Sequence, residues 1–253
     1  MLKSWFGNRK LSKAMRPPPS VPPGERVYAI GDIHGRSDLL DRVHALIAAD
    51  FRANPAPFAH VVYLGDYIDR GPDSSGVLER LTAGPLIGKA TLLSGNHEQM
   101  LLRFLEDGSA GVTWRQFGGI ETMLSYGVIV GRARTEAGFA GLSQKLRERV
   151  PVHHLEFLRR LKKTVAIGDY FFCHAGVRPG VPLEQQRDDD VLWIRHEFLS
   201  SSAHFGKIIV HGHSPVDKPD FRSNRINIDT CAYATGRLTC LVLDGAERRV
   251  FST

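Results

Sequence analysis

The sequence predicts an α/β domain whose sheet is at least partly parallel. Three observations predict it. Short apolar runs at residues 27–31, 61–64 and 90–93 each end in a glycine-containing polar loop. Each loop is followed by apolar residues at helical spacing, and the chain shows no internal repeat and no second core. In sheets of this kind ligands bind beyond the carboxyl ends of the strands, so the three polar loops are expected to meet there.

Residues 1–24 read as a flexible arm. Its proline clusters, Pro17 to Pro19 and Pro22-Pro23, disfavour helix and sheet and suit an extended course. Five of the six net positive charges lie in this arm, so the body is close to neutral and offers no basic face for nucleic acid. Trp5 and Phe6 beside those charges could touch an acidic surface, though contact with the domain itself is the simpler reading. Residues 25–253 form the domain. After the strand at 27–31, Leu39, Leu40, Val43, Leu46 and Ile47 mark a helix with Ser37 or Asp38 as N-cap. The strand at 61–64 leads to a helix with Pro72 at its first position, and the strand at 90–93 to a helix through Met100 and Phe104.

Residues 107–161 change character, with scattered glycines and two charged helices at 142–149 and 151–161; they are expected to cap the site. Two short strands around Gly168-Asp169 follow, then a second insertion at 178–205 and a strand at 207–210. Three final strands, 225–228, 238–243 and 248–251, are expected to be antiparallel.

Composition excludes some classes. Apolar residues make up 42% and charged residues 24%, ordinary values for a globular protein, and no apolar run is long enough to span a bilayer. Cys173, Cys231 and Cys240 are odd in number and form no C-x-x-C, which favours reduced thiols and a cytoplasmic setting. The amino terminus lacks the apolar segment of a secretory signal.

The chemistry is concentrated at strand ends: Asp32, His34, Asp66, Asn96, His174 and His211. Carboxylates buried there are costly unless paired, ligated or used. Oxygen and imidazole donors without thiolate suit a hard-to-borderline divalent ion: manganese first, with iron, zinc or magnesium as alternatives. Two such ions sharing Asp66 could activate a water and clamp a phosphate. A protonated imidazole, His97, would serve the leaving oxygen, with Asp69 keeping it cationic and Arg70 holding the phosphate. Each residue alone has a plainer role as a cap or turn residue; the joint pattern at five strand ends does not.

The motifs Gly31-Asp32-Ile33-His34-Gly35, Gly65-Asp66-Tyr67-Ile68-Asp69-Arg70-Gly71 and Gly95-Asn96-His97-Glu98 resemble the signature of the phosphoprotein phosphatase family, within the calcineurin-like metallophosphoesterases. His174 in His-Ala-Gly and His211 in His-Gly-His resemble its later ligands. The resemblance covers roughly residues 26 to 250 and implies a four-layer αββα sandwich with a helical cap insertion. It also implies one ion on Asp32, His34 and Asp66, and a second on Asp66, Asn96, His174 and His211. His97 paired with Asp69 would be the general acid, and Arg195 would join Arg70 on the phosphate. Cys231 stands where bacterial relatives are expected to have glycine, and is read as small packing; His153 and His154 are read as surface residues.

This reading makes the chain a metal-dependent phosphomonoester hydrolase acting by direct water attack, with a serine/threonine phosphoprotein or phosphopeptide as substrate. The alternative is a nucleotide hydrolase, either a symmetric diadenosine tetraphosphatase or a cyclic nucleotide phosphodiesterase. Glu98 and Asp69-Arg70-Gly71 tilt the choice toward phosphoprotein. A silent metal- or phosphate-binding adaptor is the third reading, disfavoured because no ligand is missing. The stretch from Trp114 to Tyr126 is expected to line the substrate mouth.

Overall fold

The computed structural model describes residues 17–131 and 133–253. The first half runs β1 (Glu25–Ile30), α1 (Ser37–Ala53), β2 (Phe58–Tyr63), α2 (Ser74–Thr82), β3 (Lys89–Leu92) and α3 (Asn96–Glu106). The insertion supplies α4 (Gly111–Trp114), α5 (Gly119–Ser125), α6 (Glu136–Arg149) and α7 (Val152–Arg160). Then come β4 (Thr164–Ile167), β5 (Tyr170–Cys173), α8 (Asp188–Trp193), α9 (His196–Leu199), β6 (Ile208–His211), β7 (Asp220–Phe221), β8 (Arg225–Asn227), α10 (Ala232–Thr235), β9 (Thr239–Asp244) and β10 (Glu247–Ser252).

Two five-stranded mixed sheets result, ordered β10-β9-β1-β2-β3 and β4-β5-β6-β8-β7. Alternation along the strands sorts their side chains into layers. Val27 and Ala29 of β1, Val62 of β2, Tyr170 and Phe172 of β5, Val210 of β6 and Leu241 of β9 share the core between the sheets. Tyr28, Ile30, Tyr63 and Val242 face outward under α1 to α3 and the insertion. Phe171, Cys173 and Ile209 face outward on the other side, under α8 and α9. Each wholly buried Val, Leu or Phe contributes about 1.5–3 kcal/mol, so both the inter-sheet layer and the larger helix-covered layer on the first sheet hold the fold together. The four layers are the expected αββα sandwich.

Strands β1, β2 and β3 are parallel, as are β5, β6 and β8. Their carboxyl ends lie at one rim of the sandwich, with Ile30 beside Tyr63, Tyr63 beside Leu92, and His211 beside Asn227. Several local expectations differ. β8 is parallel to β6 rather than part of an antiparallel run, because it pairs into the second sheet while β9 and β10 form a hairpin in the first. Ser37 does not cap α1: its hydroxyl donates to Asp73 Oδ2 instead. Asp73, not Pro72, starts α2, its Oδ1 accepting from Gly76 N at 2.9 Å. Leu46 is 38% exposed and lies off the buried stripe of α1.

The arm is shorter than expected on its described side. Val21 is buried in the inter-sheet core and donates its backbone N–H to Gly245 O at 3.0 Å. Ser20 and Asp169 exchange hydrogen bonds of 2.9 Å, and Tyr170 Oη donates to Pro19 O. Residues 19–22 are therefore a strap across the turns of both sheets. The basic residues of the arm, with Trp5 and Phe6, lie outside the described residues.

Candidate metallophosphoesterase site

Glu98 organises the first-sheet loops. Wholly buried in the first turn of α3, it accepts on Oε2 from Gly95 N (2.8 Å) and Asp66 N (2.9 Å), and on Oε1 from Tyr67 N (2.8 Å). Burial and the Asp66 charge push its carboxyl up to about 7. One side chain thus fixes the loop after β3 to the loop after β2, a role sequence reasoning did not assign.

Two histidines are oriented by backbone carbonyls, which can accept but not donate. His34 Nδ1–H donates to Ile68 O at 2.8 Å, and His174 Nδ1–H to Leu64 O at 2.9 Å. In its neutral form each ring therefore carries its proton on Nδ1 and presents the Nε2 lone pair. The two Nε2 atoms approach opposite oxygens of Asp66, His34 at 3.5 Å from Oδ2 and His174 at 3.3 Å from Oδ1. Asn96 Oδ1 lies 2.9 Å from His174 Nε2. Burial opposes protonation of His174, but Asp66 and Asp32 outweigh it and hold its pKa at about 9. Asp32 is raised by burial and by Asp229; its Oδ2 accepts from His213 N, and its buried Oδ1 has no hydrogen-bond partner.

His211 does not join this group. It continues the alternation of β6, on the same face as Ile209, so its ring points outward onto Phe198 of α9, with centroids 5.0 Å apart. Its Nδ1–H donates to Gly212 O, and burial lowers its pKa to about 3, the state of a neutral packing group. His213 lies beside this group instead. A left-handed backbone (φ 63°) turns it inward, so that Nδ1 lies 3.1 Å from His174 Nε2. Asp66, His174 and His213 form one group of potential ligand atoms within 4.8 Å, and His34, Asp66 and His97 another. Strand parity was the signal available in the sequence: His211 shares the parity of the outward residues.

His97 and Asp69 meet as expected, with Nδ1–H donating to Asp69 Oδ2 at 2.7 Å. Burial lowers the His97 pKa, but Asp66 and the Asp69 hydrogen bond overcome it and leave the imidazole above its ordinary value. The insertion supplies two donors to Asp69 that the sequence did not reveal: Trp114 Nε1–H at 2.7 Å and the Thr122 hydroxyl. Trp114 is buried behind the site and Tyr126 packs on His154, so neither lines the mouth; Phe117 does. His154 is likewise buried rather than a surface residue.

A cavity of about 300 Å³ opens over these groups. Arg70 and Arg195 face it with Phe117, Trp193, Asp229 and Tyr233. The Arg70 guanidinium sits 4.9 Å from the centre of the Tyr233 ring, and Arg195 Nε–H donates to His213 Nε2 at 3.0 Å. Arg70 N donates to Gly118 O, and a Cβ on Gly118, itself at φ 93°, would come within 2.7 Å of that nitrogen. Among the described residues, six non-glycine residues have positive φ: His34, Asp66, Asp69, Arg70, His213 and Cys231. All lie in these strand-end loops, the concentration expected where a site dictates its backbone. Cys231, at φ 57° and half-buried, stands in the left-handed region, which accounts for the glycine expected there.

The profile of the Calcineurin-like phosphoesterase family matches residues 25–240. The chain belongs to that family. This calcineurin-like phosphoesterase is 25% identical over 233 residues to a protein of Anoxybacillus flavithermus named bis(5'-nucleosyl)-tetraphosphatase PrpE, asymmetrical; the match covers 84% of this chain and 88% of that protein. The crystal structure of a protein provisionally named diadenosine tetraphosphatase superposes with a TM-score of 0.61 at 22% identity, covering 93% of this chain and 98% of that one. A cold-active protein-tyrosine phosphatase from Shewanella superposes at 0.52 and 19% identity, covering 91% and 83%. The curated relatives are thus named as nucleotide hydrolases, and asymmetrical ones, where the motifs tilted toward a serine/threonine phosphatase. No described helix is long and apolar enough to cross a membrane.

Proposed function

We propose that this phosphoesterase hydrolyses a dinucleoside polyphosphate such as diadenosine tetraphosphate, with two divalent ions. One observation carries the reading: the cavity joins two arginines for phosphate to three aromatic rings, Phe117, Trp193 and Tyr233, that can stack on a base. The names of the curated relatives support the same substrate class and suggest asymmetric cleavage.

The donor set fits two ions. Asp32 Oδ1 is buried without a partner, and the freed Nε2 atoms of His34 and His174 flank Asp66. Asp32, His34 and Asp66 would hold one ion, and Asp66, Asn96, His174 and His213 the other, with manganese, iron, zinc or magnesium all compatible. When present, such ions supply Lewis acidity and a nucleophile at neutral pH. Arg70 and Arg195 grip the phosphoryl oxygens. His97, held by Asp69, whose carboxylate is itself held by Trp114, keeps a proton on Nε2 for the leaving oxygen.

A phosphoprotein substrate is the second reading, and the His97–Asp69 pair favours it, since an alkoxide leaving group needs a proton more than a phosphate does. The deciding experiment reconstitutes metal-stripped protein with each ion and compares kcat/KM on diadenosine tetraphosphate and on phosphopeptides. Preference for the dinucleotide, with ATP and AMP as products, is expected; a wide preference for phosphopeptides would overturn it.

A further inference from the structure

A third group of donors lies outside the cavity. Glu79 of α2 and His153 and His154 of α7 place three potential ligand atoms within 4.8 Å of one another. His153 Nε2 and His154 Nε2 each lie 3.1 Å from the same oxygen, Glu79 Oε2. The two rings meet edge to face, with centroids 4.4 Å apart. None of the three residues lines the catalytic cavity. From this geometry we propose a peripheral site for a borderline divalent ion such as Zn²⁺, held by Glu79, His153 and His154.

Two imidazoles and one carboxylate with a remaining water position is a common ligand set for zinc. The site is accessible, since the Glu79 and His153 side chains are 66% and 53% exposed. It is also partly preorganised. His154 is buried, and its Nδ1 lies 2.8 Å from Tyr126 Oη, a hydroxyl that can donate or accept. On binding an ion, the neutral His154 ring carries its proton on Nδ1 and donates it to Tyr126, leaving Nε2 for the metal. The positive end of α7 opposes any cation here, and the Glu79 carboxylate offsets it. Such an ion would clasp the end of the insertion to α2, the helix whose first residue, Ser74, accepts the Asp69 N–H.

The test measures bound zinc. Full-length protein is stripped with a chelator and equilibrated with Zn²⁺ alone, and the metal per chain is compared in wild type, His153→Ala and Glu79→Gln. His153 is exposed, so its variant is expected to fold, and circular dichroism checks both. Wild type is expected to hold about one more equivalent than either variant, and its zinc-dependent rise in Tm is expected to shrink in both. Because the readout is a difference, it stands whatever the catalytic centre binds or hydrolyses. Equal zinc content in all three proteins, or a loss confined to one variant, would overturn the proposal.

Discussion

The two sheets build the site in different ways. Loops from the first sheet come as contiguous motifs, and Glu98 binds two of them through three backbone N–H groups. The second sheet contributes His174, Arg195 and His213, residues far apart in the chain, held by contacts such as Arg195 with His213. Local motifs carry their own geometry, while a residue placed by long-range packing can be mistaken for its neighbour.

That difference can be tested, beginning with the largest expected effect. His213→Ala is expected to cost about 10⁴-fold in kcat/KM, since residues acting as a unit fail together. His211→Ala should leave metal content and kcat nearly unchanged while costing about 1–3 kcal/mol of stability, read by denaturant unfolding. The reverse ranking would restore His211 as the ligand and remove the contrast between the sheets.

His97→Asn is expected to lower kcat by about 10²–10⁴-fold on alkyl phosphates and far less on p-nitrophenyl phosphate. The sign of its pH dependence follows from its environment. With a pKa above the ordinary 6.5, His97 keeps its proton past that pH and loses it as pH rises further, so the alkaline limb of kcat on alkyl phosphates belongs to it. A limb that survives His97→Asn would assign that proton elsewhere.

Smaller effects probe the scaffold. Glu98→Gln puts an amide donor against backbone donors and should cost about 1–3 kcal/mol in unfolding free energy. An unchanged midpoint would mean that the first-sheet loops do not depend on that anchor. Cys231→Gly removes a left-handed side chain, a relief of about 1–2 kcal/mol partly offset by glycine's chain entropy. A net gain of about 0.5–1 kcal/mol is expected.

Much of this was legible in the residues themselves. Apolar runs ending in Gly-Asp and Gly-Asn loops located β1 to β3 and placed Asp32, His34, Asp66 and Asn96 at one rim. The His97–Asp69 pair and the two arginines also came together as read. What escaped was long-range: Trp114 and Thr122 reach Asp69 from the insertion, and their 45- and 53-residue separations leave no local pattern. Alternation along β6 turns His211 outward, while the inward turn of His213 depends on a left-handed backbone that no residue type announces. Val21 looked like part of a proline-rich arm because one apolar residue cannot announce that it enters a core.

The strap at residues 19–22 bears on how the protein can be shortened. A chain beginning at residue 17 keeps Val21 between the sheets and Ser20 on Asp169. One beginning at residue 25 uncovers the inter-sheet layer and leaves the Asp169 turn without its partner, so proteases should cut it there first.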